Sequence, residues 1–390
     1  MNAQQAGTEQ AEAGRLTDRE EAVAFAHWLE RAVNAHDVAG LEAGYADDAV
    51  LISPVFRETV GRAAIAKSWE AIFQLFPDWQ VKILEVLVDA NRLAFVGTCM
   101  ATDLNGWFGL PPTGERISYR AVILLTLHNG KIARDQRMYD LTGVLDQLEK
   151  ARLDQELKTA AQVQSALLSH RVRRGQNYEA VGDSIACRTI GGDFFELLEL
   201  PSGDFGMVLG DVAGKGPPAA LLASMLQGMF TMEARIGGSP AQAITNVNSA
   251  LAAKDLSPRF ATVLYGILRR DGAFVCSNAG HNAPIILGES GIQRCHDGGT
   301  ILGAFRESSY REQKFRLNGG DTVIMFSDGV TEARNPAGEE FGEERLISCI
   351  TVLRSGSALE IAKGILDSVR GFSGDVAPAD DITVAVLRRI

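Results

Sequence analysis

At 390 residues the chain has room for two or three domains, each with its own core. Its 46% hydrophobic and 22% charged residues are those of an ordinary globular protein, and a net charge of −11 argues against a general binder of nucleic acid or anionic membranes. No apolar run approaches the roughly 20 residues that span a bilayer, Met1 to Arg15 lacks the apolar stretch of a signal peptide, and five scattered cysteines (Cys99, Cys187, Cys276, Cys295, Cys349) without CxxC spacing read as reduced thiols of a cytoplasmic protein.

Residues 1–15 read as a disordered tail. Thr17-Asp18-Arg19-Glu20 is a capping box that opens a helix to about Ala35, with Val23, Ala26, Leu29, Ala32 and Val33 on one face. A short helix over 38–45, a strand over 49–53 and a helix over 61–76 follow. Long alternating runs over 79–88, 92–102, 116–128 and 131–139 are then joined by hairpin signals at Asp89-Ala90-Asn91 and Asn129-Gly130. Helices followed by a curved antiparallel sheet give an α+β cone.

This stretch resembles the SnoaL-like branch of the nuclear transport factor 2-like superfamily. The resemblance rests on Tyr45-Ala46-Asp47-Asp48-Ala49-Val50, Gly109-Leu110-Pro111-Pro112-Thr113-Gly114, Asn129-Gly130-Lys131-Ile132 and Tyr139-Asp140. It implies a domain over 16–140 that either catalyses small-molecule chemistry or binds a ligand. Asp135 and Asp140 are its candidate pocket acids, since an acid in an apolar pocket can act as a base. The plainer alternative makes Asp140 a cap at the sheet-to-helix junction and puts Asp135 in solvent. A hollow cone ahead of an output domain suits a sensor for a small apolar ligand.

Residues 141–170 are rich in Leu, Ala, Gln, Glu and Lys and lack proline. Leu153, Leu157, Ala160, Gln164 and Leu167 recur in 4-3-4-3 steps, the spacing of a short heptad seam. Two readings fit: an amphipathic helix on its own domain, or a parallel linker that joins two chains into a homodimer.

From 171 to 390 strand-like runs alternate with inserted helices, a pattern that two packed sheets with helices outside would bury as an αββα sandwich. Acids sit beside glycine or another acid at four strand edges: Gly191-Gly192-Asp193-Phe194-Phe195, Gly210-Asp211-Val212-Ala213-Gly214-Lys215-Gly216, Ser327-Asp328-Gly329, and Asp380-Asp381-Ile382-Thr383. Spread over half the chain, they make sense as one cluster that holds hard divalent cations, which prefer oxygen ligands. Two such ions together make a shared water a nucleophile near neutral pH.

These motifs, with Asn278-Ala279-Gly280-His281-Asn282 between them, come in the order of the SpoIIE-type phosphatases, the bacterial branch of the type-2C (PPM) class. The resemblance spans about 153–390. It implies a metal-dependent hydrolase acting on phosphoserine or phosphothreonine, in which Asp193 and Asp211 bridge two Mn²⁺ or Mg²⁺ ions, with the Val212 carbonyl completing one site. Asp328 and Asp380 would hold the second ion; Asp381 is either an outer support or exchanges roles with Asp380. Arg188 and Lys215 are candidate phosphate contacts, and His281 reads as structural. The resemblance further implies a phosphorylated STAS-fold anti-sigma-factor antagonist as substrate, hence sigma-factor regulation. The helices over 217–254 would act as a switch driven by the linker. Rival readings are a silent phosphatase-fold binding module, a bifunctional chain with an enzymatic first domain, and a diguanylate cyclase. Phe194 directly after Gly-Gly-Asp argues against the last.

Overall fold

The structure is a computed structural model that describes residues 19–107, 109–168, 171–254, 260–289, 291–296 and 298–390. The expected tail and the Thr17-Asp18 half of the capping box lie outside the described residues. The chain divides into two compact units, Met1–Glu156 and Leu157–Ile390.

In the first unit, helices α1 (Arg19–Asn34), α2 (Val38–Gly44) and α3 (Arg62–Leu75) cover a sheet of order β2-β1-β6-β5-β4-β3. Its strands are β1 (Tyr45–Ser53), β2 (Arg57–Val60), β3 (Gln80–Asp89), β4 (Arg92–Thr102), β5 (Arg116–His128) and β6 (Lys131–Tyr139). The hairpin signals are placed as expected: Ala90 and Asn129 take the left-handed backbone (φ 53° and 50°) that tight two-residue turns require. The short helix stops at Gly44 and the strand begins at Tyr45, four residues earlier than the sequence suggests. Tyr45 is fully buried and belongs to the sheet, because its hydroxyl serves Asp135 on the neighbouring strand.

Helix α4 (Leu141–Leu168) contains the boundary between the units. Its first turns bury Val144 and Leu148 in the core of the first unit, and Leu168 at its end packs on the second. Between them Leu153, Val163 and Leu167 are exposed by 49%, 61% and 40%. Gln164 does not belong to an apolar seam; it is engaged by the backbone of Gly191.

In the second unit every strand pairing is antiparallel, and two sheets form. One has the order β15-β12-β11-β10-β9, from β9 (Phe194–Glu199), β10 (Phe205–Val212), β11 (Ala261–Leu268), β12 (Ala273–Ala279) and β15 (Gln313–Arg316). The other has the order β14-β13-β16-β17-β8-β7, from β7 (Arg171–Arg174), β8 (Tyr178–Ile185), β13 (Ile285–Gly288), β14 (Gly291–Arg294), β16 (Thr322–Phe326) and β17 (Ile382–Arg389).

The strands are apolar on both faces because both faces are covered. Along β17, Val384 and Val386 point to helices α8 (Gly342–Val352) and α9 (Ala358–Ser373), while Ala385 and Leu387 face the other sheet. Along β9 and β10, Phe194 and Val208 point to helices α5 (Pro217–Ile236) and α6 (Pro240–Ala252), while Phe195 and Met207 face inward. This two-residue alternation turns the apolar runs of the sequence into an αββα sandwich. Leu264, fully buried between the sheets, tests that layer. Leu264→Ala is expected to cost about 2–5 kcal/mol, read as a fall in the unfolding midpoint of the second unit.

Candidate active site

Strand register brings the four acidic motifs together in two pairs, one from each sheet. On the first sheet Gly210 pairs with Phe194, so Asp211 and Asp193 are the next residues at that end of neighbouring strands. On the second, Phe326 pairs with Val384, and the ladder extends through Ser327, whose N–H donates to the Thr383 carbonyl at 3.0 Å. Just beyond it lie Asp328, at the start of the one-turn helix α7 (Asp328–Thr331), and the Asp380-Asp381 pair. The Ser327 hydroxyl donates to the Asp381 carbonyl and accepts from the Thr383 N–H, both at 3.0 Å. Serine in this motif thus ties the two turns together.

Asp381 joins the sheets. Its buried carboxylate accepts the backbone N–H groups of Cys187 (2.8 Å), Gly192 (2.6 Å) and Asp193 (3.3 Å). Asp381 thus supports the loop that presents Asp193, and a carboxylate oxygen of each of Asp380 and Asp381 lies with the Cys187 sulfur in one group of atoms within 4.8 Å of one another. The glycines follow from the same crowding. A Cβ on Gly191 would lie 2.3 Å from the Asp381 carboxylate, and one on Gly329 would lie 2.1 Å from the Asp381 carbonyl oxygen. A Cβ on Gly192 would lie 2.9 Å from the Val212 carbonyl oxygen, which lies against the Asp193 loop.

The electrostatics of the cluster are those of too many negative charges. Burial, then the neighbouring Asp211, pushes the Asp193 carboxyl well above the usual range. Burial, then Asp328, Asp380 and Asp381, pushes Asp211 up to about 7. Burial and Asp380 also raise Asp328. Asp193 Oδ2 is buried without a hydrogen-bond partner, which is costly unless something else fills the role. Hard oxygen donors, mutual repulsion and an orphaned carboxylate oxygen fit divalent cations.

The remaining candidates divide. Lys215 does not stand free to receive a phosphate: its Nζ lies 2.8 Å from Asp380 Oδ2 and also donates to the Ala379 carbonyl. Arg188 is exposed on an irregular segment between β8 and β9, so strand parity does not decide its direction. His281 is buried, held by Thr262 at Nδ1 (2.8 Å) and by Asn278 at its backbone; burial pushes it down to about 4, so it is neutral and structural. Sequence reasoning missed Gln164, whose amide accepts from the Gly191 N–H (3.0 Å) and donates to the Gly191 carbonyl (2.8 Å). The signal available was a glutamine on an otherwise apolar heptad seam. A cavity of about 260 Å³ opens beside Asp380, lined by Lys215, Gly329, Glu332, Arg334 and Pro378 among others.

Residues 201–390 match the family described as Stage II sporulation protein E (SpoIIE), and residues 25–135 match the SnoaL-like domain. Phosphoserine phosphatase RsbU of Bacillus subtilis (strain 168) is 28% identical over 289 residues, covering 72% of this chain and 82% of RsbU. The second unit is therefore similar to the SpoIIE family over residues 201–390. Protein IcfG of Synechocystis sp. is 26% identical over 60% of this chain and 41% of its own length. Among solved structures, the SiaA-PP2C domain of Pseudomonas aeruginosa shares the fold, with 20% identity and a TM-score of 0.51 over 62% of this chain and 98% of that one.

The SnoaL-like unit has a separate cavity of about 60 Å³, walled by Trp69, Trp79, Tyr119 and Tyr139 with Asp135 and Arg137. Asp135 is buried and lines this cavity rather than facing solvent. It accepts from the Tyr45 hydroxyl (2.7 Å) and pairs with Arg137 Nη2 (2.8 Å), and the guanidinium stacks over Trp69 at 4.1 Å. Asp140 takes no part in the lining; its carboxylate accepts the Gly143 N–H at 2.9 Å and caps α4.

The phosphatase cluster has a pH consequence. A carboxyl whose folded pKa is raised stabilises the fold below its ordinary pKa, near 4, and that stability is lost as pH rises through about 7 for Asp211. In chelator, the melting midpoint of the second unit is expected to be higher at pH 5.5 than at pH 7.5. Mn²⁺ should reverse the trend, and Asp211→Asn should flatten it. Equal slopes for the native chain and the variant would count against this.

Proposed function

We propose that the chain is a metal-dependent protein phosphatase that hydrolyses phosphoserine or phosphothreonine on a regulatory protein. The observation that carries this reading is the gathering of Asp193, Asp211, Asp328 and Asp380 at one end of the sandwich, with Asp193 Oδ2 buried and unpartnered. Asp193 and Asp211, with the Val212 carbonyl, would share two Mn²⁺ or Mg²⁺ ions, and Asp328 and Asp380 would complete the second site. Such a pair supplies neutralisation of the phosphate and activation of water as the nucleophile. The protein residues fix the geometry: Asp381 holds the Asp193 loop by three backbone hydrogen bonds, and Ser327 holds the Asp328 turn to the Asp381 carbonyl. The 260 Å³ cavity beside Asp380 offers the substrate side chain an approach.

By the resemblance to SpoIIE-type phosphatases, the substrate is a phosphorylated STAS-fold antagonist of an anti-sigma factor, and the setting is cytoplasmic. The SnoaL-like unit is read as the sensor, with a small apolar ligand in its aromatic-walled cavity. The exposed apolar residues Leu153, Val163 and Leu167 of α4 support a homodimer through that helix. Two contacts support control through α4. Gln164 grips Gly191, two residues before Asp193, and the Gln227 amide on α5 donates both to the Leu167 carbonyl (3.3 Å) and to the Glu196 carboxylate on β9 (2.7 Å).

Hydrolysis of a phosphoserine peptide should require Mn²⁺ or Mg²⁺ and fall at least about a hundredfold in Asp211→Asn. Metal-independent turnover, or an active Asp211→Asn, would refute the reading. Gln164→Ala removes two hydrogen bonds to the Asp193 loop. It should raise the Mn²⁺ concentration for half-activity about tenfold while leaving the fold of the second unit intact by circular dichroism.

A further inference from the structure

Among the described residues, Lys215 is the one cationic side chain in an ion pair with any carboxylate of the cluster. Its partner is Asp380, whose second neighbours include Asp381 and Cys187; one ligand atom from each of these three lies within 4.8 Å of the others. The ammonium therefore stands at the exposed edge of the cluster, on a carboxylate whose neighbour Asp381 is engaged by backbone hydrogen bonds.

The loop that carries it is built to let go. Gly214 and Gly216 flank the lysine with φ of 103° and 80°, in the left-handed region, and a Cβ on either would touch nothing. These glycines are required by backbone conformation rather than by close packing. The Lys215 and Asp380 side chains are 37% and 38% exposed, so the pair can part without opening the core.

We propose that Lys215 is a tethered counter-cation that competes with the divalent ion for Asp380 and so sets the metal concentration at which the phosphatase turns on. This rests on the metal-site reading given above. With no divalent cation bound, the ammonium offsets repulsion among the carboxylates. When one binds, its charge repels the ammonium across Asp380, and the lysine swings into solvent at the mouth of the cavity beside Asp380. The cost of displacing it appears as weaker apparent metal binding, by mass action. Lys215 acts here through Asp380 and is a positioning residue. A lysine that instead served only as a phosphate contact would leave metal binding unaltered in the absence of substrate.

The test is calorimetric titration of Mn²⁺ and, separately, Mg²⁺ into the full chain without substrate, for the native protein, Lys215→Met, Lys215→Arg and Asp211→Asn. Lys215→Met is expected to bind about two- to tenfold more tightly, as loss of an exposed ion-pair competitor predicts, and Lys215→Arg to stay within about twofold of the native chain. Thermal melting gives a second readout: Lys215→Met should melt below the native chain in chelator and equal it in saturating Mn²⁺. Native binding with unchanged or weaker binding by Lys215→Met would overturn the proposal and leave the metal-site reading standing. Native binding that Asp211→Asn does not diminish would overturn both.

Discussion

Repulsion among carboxylates is the constraint on which the second unit depends. Folding delivers Asp193 and Asp211 from one sheet and Asp328, Asp380 and Asp381 from the other to a common place, where burial and proximity disfavour their ionised forms. The fold tolerates this by distributing the charge. Asp381 is neutralised in effect by three backbone N–H donors, Asp380 by Lys215, and Asp193 and Asp211 are left to hold protons or cations. A site stable with all its charges already satisfied would have no affinity left for a metal. Here the unsatisfied part is concentrated on the two acids at the ends of β9 and β10.

Much of this was legible in the sequence, and the reasons are local. An acid next to glycine at the end of an apolar run marks a strand edge, and the doubly apolar runs around Val208, Val263 and Val384 are what two covered faces demand. The hairpins at Ala90 and Asn129 were legible because turn chemistry is short-range. The start of β1 was not: Tyr45 looks like the end of a helix until its hydroxyl is seen to serve Asp135, 90 residues away.

The roles of the supporting residues were illegible for the same reason. Asp380 and Asp381 are adjacent and chemically identical, and sequence alone leaves their roles exchangeable. What separates them is a set of hydrogen bonds across 188 to 194 residues that ties Asp381 to the Asp193 loop, while Asp380 faces Lys215. Lys215 reads as a solvated loop lysine until Asp380 is placed beside it, and Asp135 as a surface acid until Arg137 closes over it. Gln164 reads as one position of a heptad, where its polarity is a flaw. In the fold that polarity is its use, because a primary amide can both donate to and accept from the same peptide group, as it does at Gly191.

That last contact bears on how a first unit could influence chemistry in a second. A signal can shift an equilibrium only by as much as it changes the free energies of two states differently. A helix that merely connected two domains would offer no such difference. Helix α4 ends instead on both faces of the problem: Gln164 holds the loop that presents Asp193, and the Leu167 carbonyl receives the Gln227 amide of α5, which is bonded in turn to Glu196 on the strand that follows that loop. Any rotation or lengthening of α4 that breaks one of these contacts loosens the same six-residue stretch from Gly191 to Glu196. Because Asp193 is costly to ionise without a cation, small changes in how firmly that stretch is held become changes in whether it is worth holding at all. In the proposed reading, the acid that gives the site its affinity for metal is also the one whose loop the helix holds.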